Sequence, residues 1–188
     1  MIKINSLSFS YGDDKKLIKN FSDEFKKGER ICLTSPSGTG KTTLLKIIAG
    51  LLKAEKGSVL IDKKLKLSFC FQEDDLFPWY TALKNVSLVS DEETAKQLLS
   101  LFGLSDSFDK LPSELSGGMK KRVSLARAAA YKPDILLIDE GFTGIEKELQ
   151  LKIIEYLKTL SEKTVIVFAT HDDFVREKLS TRTVHISE

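Results

Sequence analysis

The chain has 188 residues, 41% of them hydrophobic and 30% charged, with a formal net charge of +2. That balance fits one soluble globular domain with a substantial core, residues 1–188 forming a single unit. It speaks against nucleic acid as a partner, because lysines and arginines are scattered rather than clustered. No apolar run approaches the roughly 18 residues of a membrane-spanning helix, and Met1-Ile2-Lys3-Ile4 is strand-like rather than the start of a signal peptide.

In chain order, alternation and β-branched runs predict strands at residues 2–9, 30–34, 58–61, 66–71, 135–139, 165–170 and 182–186. A 3.6-residue period predicts helices at 41–51, 92–102, 117–131, 146–160 and 173–179. The continuous apolar runs at 135–138 and 165–168 read as central strands covered on both faces. Strands alternating with helices imply an α/β core with a mainly parallel sheet. From about 76 to 131 strands give way to helices, which reads as a helical subdomain inserted in the core. Cys32 and Cys70 lie in apolar strand-like segments without metal-ligand spacing, as buried, reduced thiols do.

The strand at 30–34 runs through Ser35-Pro36-Ser37-Gly38-Thr39-Gly40 into a helix beginning Lys41-Thr42-Thr43. Strand, glycine-rich loop and helix in that order are the context of a phosphate-binding P-loop. Backbone N–H groups and the helix start would face the phosphates, Lys41 would neutralise β- and γ-oxygens, and Thr42 would ligate Mg²⁺. The strict pattern has glycine where Ser35 stands, but Pro36 biases its predecessor toward extended φ/ψ, which serine tolerates.

A second helix start suited to anions follows at Leu115-Ser116-Gly117-Gly118-Met119-Lys120-Lys121-Arg122, offering a hydroxyl, free N–H groups and no bulky side chain. The charges of Lys120, Lys121 and Arg122 read mostly as a solvated face. Downstream, Ile135-Leu136-Leu137-Ile138 ends in Asp139-Glu140, successive strand residues expected to point to opposite sides.

P-loop, Leu-Ser-Gly-Gly and Asp-Glu in this order resemble the ATPase subunits of ATP-binding cassette (ABC) transporters, over nearly the whole chain. The resemblance implies an α/β P-loop NTPase core with a mainly parallel sheet, an N-terminal antiparallel β portion and the inserted helical subdomain. It implies ATP and Mg²⁺ as cofactors. The nucleotide would be held by Tyr11, Ser35, Pro36, Ser37, Gly38, Thr39, Gly40, Lys41, Thr42 and Thr43, with Tyr11 stacking on adenine; the other reading of Tyr11 is a tyrosine in a strand-end turn. Thr42, Gln72 and Asp139 would serve the metal. Glu140 would be the general base and His171 the switch histidine at the γ-phosphate, while His185 has no such context. Ser116, Gly117 and Gly118 would cap the ATP of a second ABC ATPase subunit, in a homodimer with two sandwiched nucleotides.

The further partners implied are transmembrane permease subunits and, indirectly, an extracytoplasmic solute-binding protein. The location implied is cytoplasmic, peripheral on the inner face of the cell membrane. Leu76-Phe77-Pro78-Trp79, after Gln72, resembles importers of the nitrate, sulfonate and taurine type; Phe77 and Trp79 serve either as a docking surface or as anchors of the helical subdomain. Gly141 stands where the family usually has proline, and Glu146, in Thr143-Gly144-Ile145-Glu146, where it has aspartate. The alternatives are a soluble non-transport ABC ATPase and a hydrolysis-impaired nucleotide-binding regulatory module.

Overall fold

In the computed structural model residues 1–12, 17–36, 38–73 and 75–186 are described; Ser37 of the phosphate loop lies outside them. The strands are β1 (Ile2–Phe9), β2 (Ile18–Phe25), β3 (Arg30–Thr34), β4 (Lys56–Ile61), β5 (Leu67–Cys70), β6 (Ile135–Asp139), β7 (Val165–Ala169) and β8 (Arg182–His185). The helices are α1 (Lys41–Ile48), α2 (Ala82–Ser87), α3 (Glu92–Leu101), α4 (Gly117–Ala130), α5 (Lys147–Ser161) and α6 (Asp173–Leu179). Single 3₁₀ turns, Ser105–Ser107 and Pro112–Glu114, separate α3 from α4.

A five-stranded sheet in the order β5-β6-β7-β3-β8 is parallel at every pairing. Its central strands β6, β7 and β3 are buried on both faces, as parallel strands covered on both sides must be, while the edge strands β5 and β8 are partly exposed. Alternation shows this directly. Leu136, Ile138, Ile166 and Phe168 pack toward α2–α6 in one apolar cluster, while Ile135, Leu137, Val165 and Val167 pack with α1 and the second sheet in another. Each such Leu, Ile or Val contributes on the order of 1.5–3 kcal/mol by leaving water.

The second sheet, β2-β1-β4, is antiparallel. Its strand β2 escapes a reading by period. The apolar residues Ile18, Phe21 and Phe25 are spaced as on a helix, because Ser6 (φ 46°) and Asn20 (φ 48°) bulge the β1–β2 pair and shift its register. Such bulges reset the two-residue alternation. Gly57 of β4 lies so close to the bulge that a Cβ there would stand 2.4 Å from the Asn5 carbonyl oxygen. Between β5 and β6 the described residues hold helices and 3₁₀ turns only. Short α2 carries too few residues for a period to show, though Thr81 caps it by accepting the Lys84 N–H.

Candidate functional site

Strand β3 delivers the chain to Ser35, and Gly40, at φ 100°, turns it into α1. No side chain caps α1, so its first N–H groups face outward, where an anion is favoured. Lys41 is buried, and its ammonium donates to the carbonyls of Ser35 (2.8 Å) and Pro36 (3.2 Å). The Thr39 hydroxyl donates to the Pro36 carbonyl at 2.6 Å and to the Ser35 hydroxyl. Ser35 is not among the described non-glycine residues with positive φ, so this position makes no demand for glycine. Its hydroxyl instead braces the loop through Thr39.

The loop opens into a cavity of about 340 Å³. Tyr11, Gly38, Gly40, Lys41, Thr42 and Thr43 line it together with Gln72, Asp139, Glu140 and His171. Residues from β1, the phosphate loop, the end of β5, the end of β6 and the end of β7 thus meet in one place. The Tyr11 hydroxyl hydrogen-bonds with that of Thr43 at 3.3 Å and its ring stands edge-on to Phe9, leaving it 54% exposed at the cavity mouth.

The expected opposition of the two carboxylates stops at the end of β6. Asp139 pairs with Ala169, but Glu140 turns left-handed at φ 52°, its N–H still donating to the Ala169 carbonyl. Both carboxylates therefore face the same cavity. A positive φ at a non-glycine residue is strained and is a recurrent feature of functional sites. Gly141 permits it: a Cβ there would stand 2.6 Å from Ile138 Cγ2 and 3.4 Å from the Cys70 sulfur. Cys70 and Cys32 are both fully buried, and burial pushes each thiol up to about 11.

Burial raises the Asp139 carboxyl above the usual carboxylate range, against the pull of the Thr42 hydroxyl and the charges of Lys46, Lys121 and Lys41. Burial also raises Glu140, whose charged form is favoured in turn by His171. The His171 N–H donates to Glu140 Oε2 at 3.4 Å and its ring Nε2 lies 3.7 Å from Oε1. A raised carboxyl beside an imidazole suits a proton acceptor.

Thr42, Gln72 and Asp139 also share a smaller cavity of about 130 Å³ beside the first. Hydroxyl, amide and carboxylate oxygens suit a hard cation that takes its remaining ligands from phosphate and water. Among the described residues no three His, Cys, Asp or Glu side chains converge as a self-sufficient metal cage.

Ser116 caps α4 by accepting the Met119 N–H at 3.3 Å, and Gly117 and Gly118 form its first turn. None of the three lines the cavity that holds Lys41; Gly117 and Gly118 line a separate cleft with Gln72, Thr143 and Gly144. A Cβ on Gly118 would stand 2.3 Å from the Gly144 carbonyl oxygen. Gly118→Ala is accordingly expected to displace the Thr143–Ile145 turn and reduce any activity that needs this face by about 10–100-fold, misplacement by an ångström being worth that much. Nucleotide affinity at Lys41 should stay unchanged, so steady-state kinetics beside equilibrium binding check it.

The solvated face expected for Lys120, Lys121 and Arg122 does not hold for the last two. Lys121 donates to the backbone carbonyls of Gln72 and, at 3.4 Å, Phe71. Arg122 closes the C-terminal end of α3 by donating to the carbonyls of Phe102 (2.9 Å) and Gly103 (2.8 Å). Downstream on α4, Ser124 and Arg127 bind the Asp75 carboxylate. The chain around Gln72 is therefore fastened to α4 on both sides.

Sequence reasoning missed Lys121, Asp75 and the fully buried Asn85. The Asn85 side chain accepts the Phe77 N–H and donates to the carbonyls of Phe77, Tyr80 and Thr81. It folds the aromatic loop so that Phe77 and Trp79 stay 40% and 67% exposed, with Arg127 over the Phe77 ring. A buried Asn on a short helix leaves no periodic signal; its place a few residues after a Pro-Trp turn is the only sequence cue.

The family model described as "ABC transporter" matches residues 18–143. The chain belongs to the ABC transporter family. Among curated ABC relatives, the spermidine/putrescine import ATP-binding protein PotA of Thermotoga maritima is 35% identical, covering 100% of this chain and 56% of its own length. The chain thus spans little more than half of that relative. The ergothioneine transport ATP-binding protein EgtV of Helicobacter pylori is 31% identical, covering 99% of this chain and 97% of its own length. Among solved structures, the ATP-binding cassette MJ0796, in a dimeric post-hydrolysis state bound to ADP and Pi, aligns with a TM-score of 0.89 at 30% identity, over 100% of this chain and 94% of that one. The fold is therefore that of an ABC cassette, with its parallel sheet, antiparallel sheet and helical insertion.

Proposed function

We propose that the chain is the ATP-binding and ATP-hydrolysing subunit of an ABC importer, driving solute transport through a separate membrane permease. The observation that carries this reading is the separation of two anion-suited helix starts. Gly40-Lys41 opens α1 at the cavity, and Ser116-Gly117-Gly118 opens α4 away from it. One nucleotide does not need both, whereas a two-fold dimer lets each chain complete its partner's site. A dimeric neighbour bound to ADP and Pi supports the same arrangement.

In this reading Lys41 and the N–H groups of the loop bind the β- and γ-phosphates, and the Tyr11 ring stacks on the base. Thr42, Asp139 and Gln72 would hold Mg²⁺, which supplies charge neutralisation of the phosphate oxygens when bound. Glu140 orients the attacking water and takes its proton; His171 supports the ionised form of Glu140 and faces the γ-phosphate. The departures at Ser35 and Gly141 each have a local packing rationale, which favours an active ATPase over a regulatory module.

Transport requires a membrane partner, because no helix among the described residues is long and apolar enough to cross a bilayer. An apolar groove of about 400 Å³, lined by Leu51, Phe69, Phe71, Val89 and Tyr131, lies beside Asp75 and Arg127, which hold the aromatic loop. Groove and exposed aromatics support docking of a permease segment, and so a place on the inner face of the cell membrane. The import names of relatives such as PotA favour uptake; a solute-binding protein outside the membrane belongs to this proposal as an indirect partner. Leu76-Phe77-Pro78-Trp79 supports the nitrate, sulfonate and taurine type. Tagged chain recovered from native membranes tests this: a co-purifying transmembrane protein supports the reading, and recovery without one, from membranes shown to retain their complexes, contradicts it.

A further inference from the structure

Gln150, in the first turn of α5, is 3% exposed. It lines neither the nucleotide cavity nor the cleft at Gly118. Its amide nitrogen donates to the Asp172 carboxylate at 3.0 Å and to the Phe142 carbonyl at 3.4 Å. Its amide oxygen is buried with no hydrogen-bond partner among the described residues. A buried acceptor left unpaired is unfavourable, and an apolar side chain of the same shape would avoid it. What the amide adds lies in its two donations.

Those donations join the two backbone segments that carry Glu140 and His171. Phe142 belongs to the turn leaving Glu140, where the Thr143 N–H donates to the Glu140 carbonyl and the Ile145 N–H to that of Phe142. Asp172 follows His171. Its N–H donates to the Thr170 hydroxyl, and its carboxylate accepts the N–H groups of Phe174 and Val175 at the start of α6. On the cavity side, the His171 N–H and ring lie against the Glu140 carboxylate. The connections thus form a closed circuit: Glu140, the turn to Phe142, Gln150, Asp172, His171 and back to Glu140.

We infer that Gln150 is a positioning residue that sets the distance between Glu140 and His171 from behind the site. The inference rests on the hydrolytic reading of that pair for its kinetic consequence, but not for its geometric one. Removing the donations frees the Phe142 turn and the His171–Asp172 peptide to move apart, while the phosphate loop keeps every bond it has. The effect should therefore fall on turnover and not on nucleotide affinity.

The test is Gln150→Met, which keeps the length and loses the donors, measured with Asp172→Asn and the double variant. The kcat for ATP hydrolysis should fall about 10–100-fold with KM within about twofold. The double variant should lose no more than the worse single one, as residues acting through one contact do. A second readout is independent of activity. The chain has two histidines, His171 and His185, and the imidazole NMR signals of His171 should move in Gln150→Met while those of His185 stay. Unchanged kcat and unchanged His171 signals, with or without a lower melting temperature, would overturn the inference by reducing Gln150 to a packing residue. If the wild type proves inactive while the His171 signals still move, the positioning stands and the hydrolytic reading falls.

Discussion

Glu140→Gln is expected to bind ATP with undiminished affinity and hydrolyse it about 10²–10⁴-fold more slowly, the usual worth of a positioned base. The substitution is nearly isosteric. The side-chain oxygen can still accept the His171 N–H, so the left-handed turn at Glu140 and the end of β6 keep their packing. What is lost is the proton acceptor. Burial raises Glu140 above the usual carboxylate range, and His171 is the largest influence holding it ionised. An amide has no comparable basicity. ATP should then persist between two chains, and the mutant should run as a dimer with ATP and as a monomer with ADP. Phosphate release together with size-resolved light scattering checks both parts; wild-type turnover would remove Glu140 as the base.

Lys41→Ala should act on the other parameter. One charge-assisted bond to phosphate is worth roughly 1.5–3 kcal/mol, so ATP affinity should drop by about 10–100-fold. Adenosine, which has no phosphate, should bind both proteins alike, because Tyr11 and Thr43 remain in place. The loop also loses the ammonium that joins the Ser35 and Pro36 carbonyls, leaving Thr39 as the brace among the described residues. Isothermal titration with ATP and adenosine separates the two contributions. Unchanged ATP affinity would refute the phosphate role of Lys41.

The parts of the molecule that were legible in the sequence are those whose signal is local. Strand β6 is one continuous apolar run, and glycines at 38 and 40 ahead of Lys41 specify a turn and a helix start within a few residues. The parts that were not legible are tertiary. The bulges at Ser6 and Asn20 hide β2 from any period. Gln150 reads as an ordinary residue on an amphipathic helix until the fold brings Phe142 and Asp172 to it. Lys121 reads as a surface charge until Gln72 is seen folded against α4. Even Glu140, singled out from sequence, was expected to face away from Asp139; a single backbone angle of 52° turns it into the shared cavity.

The most direct test of a site completed by a second copy is the rate of Mg²⁺-dependent ATP hydrolysis as a function of protein concentration. Specific activity is expected to rise with concentration, level off once dimers prevail, and lie about 10²–10⁴-fold lower in Glu140→Gln across the whole range. Specific activity independent of concentration, in a protein that stays monomeric with ATP, would contradict it.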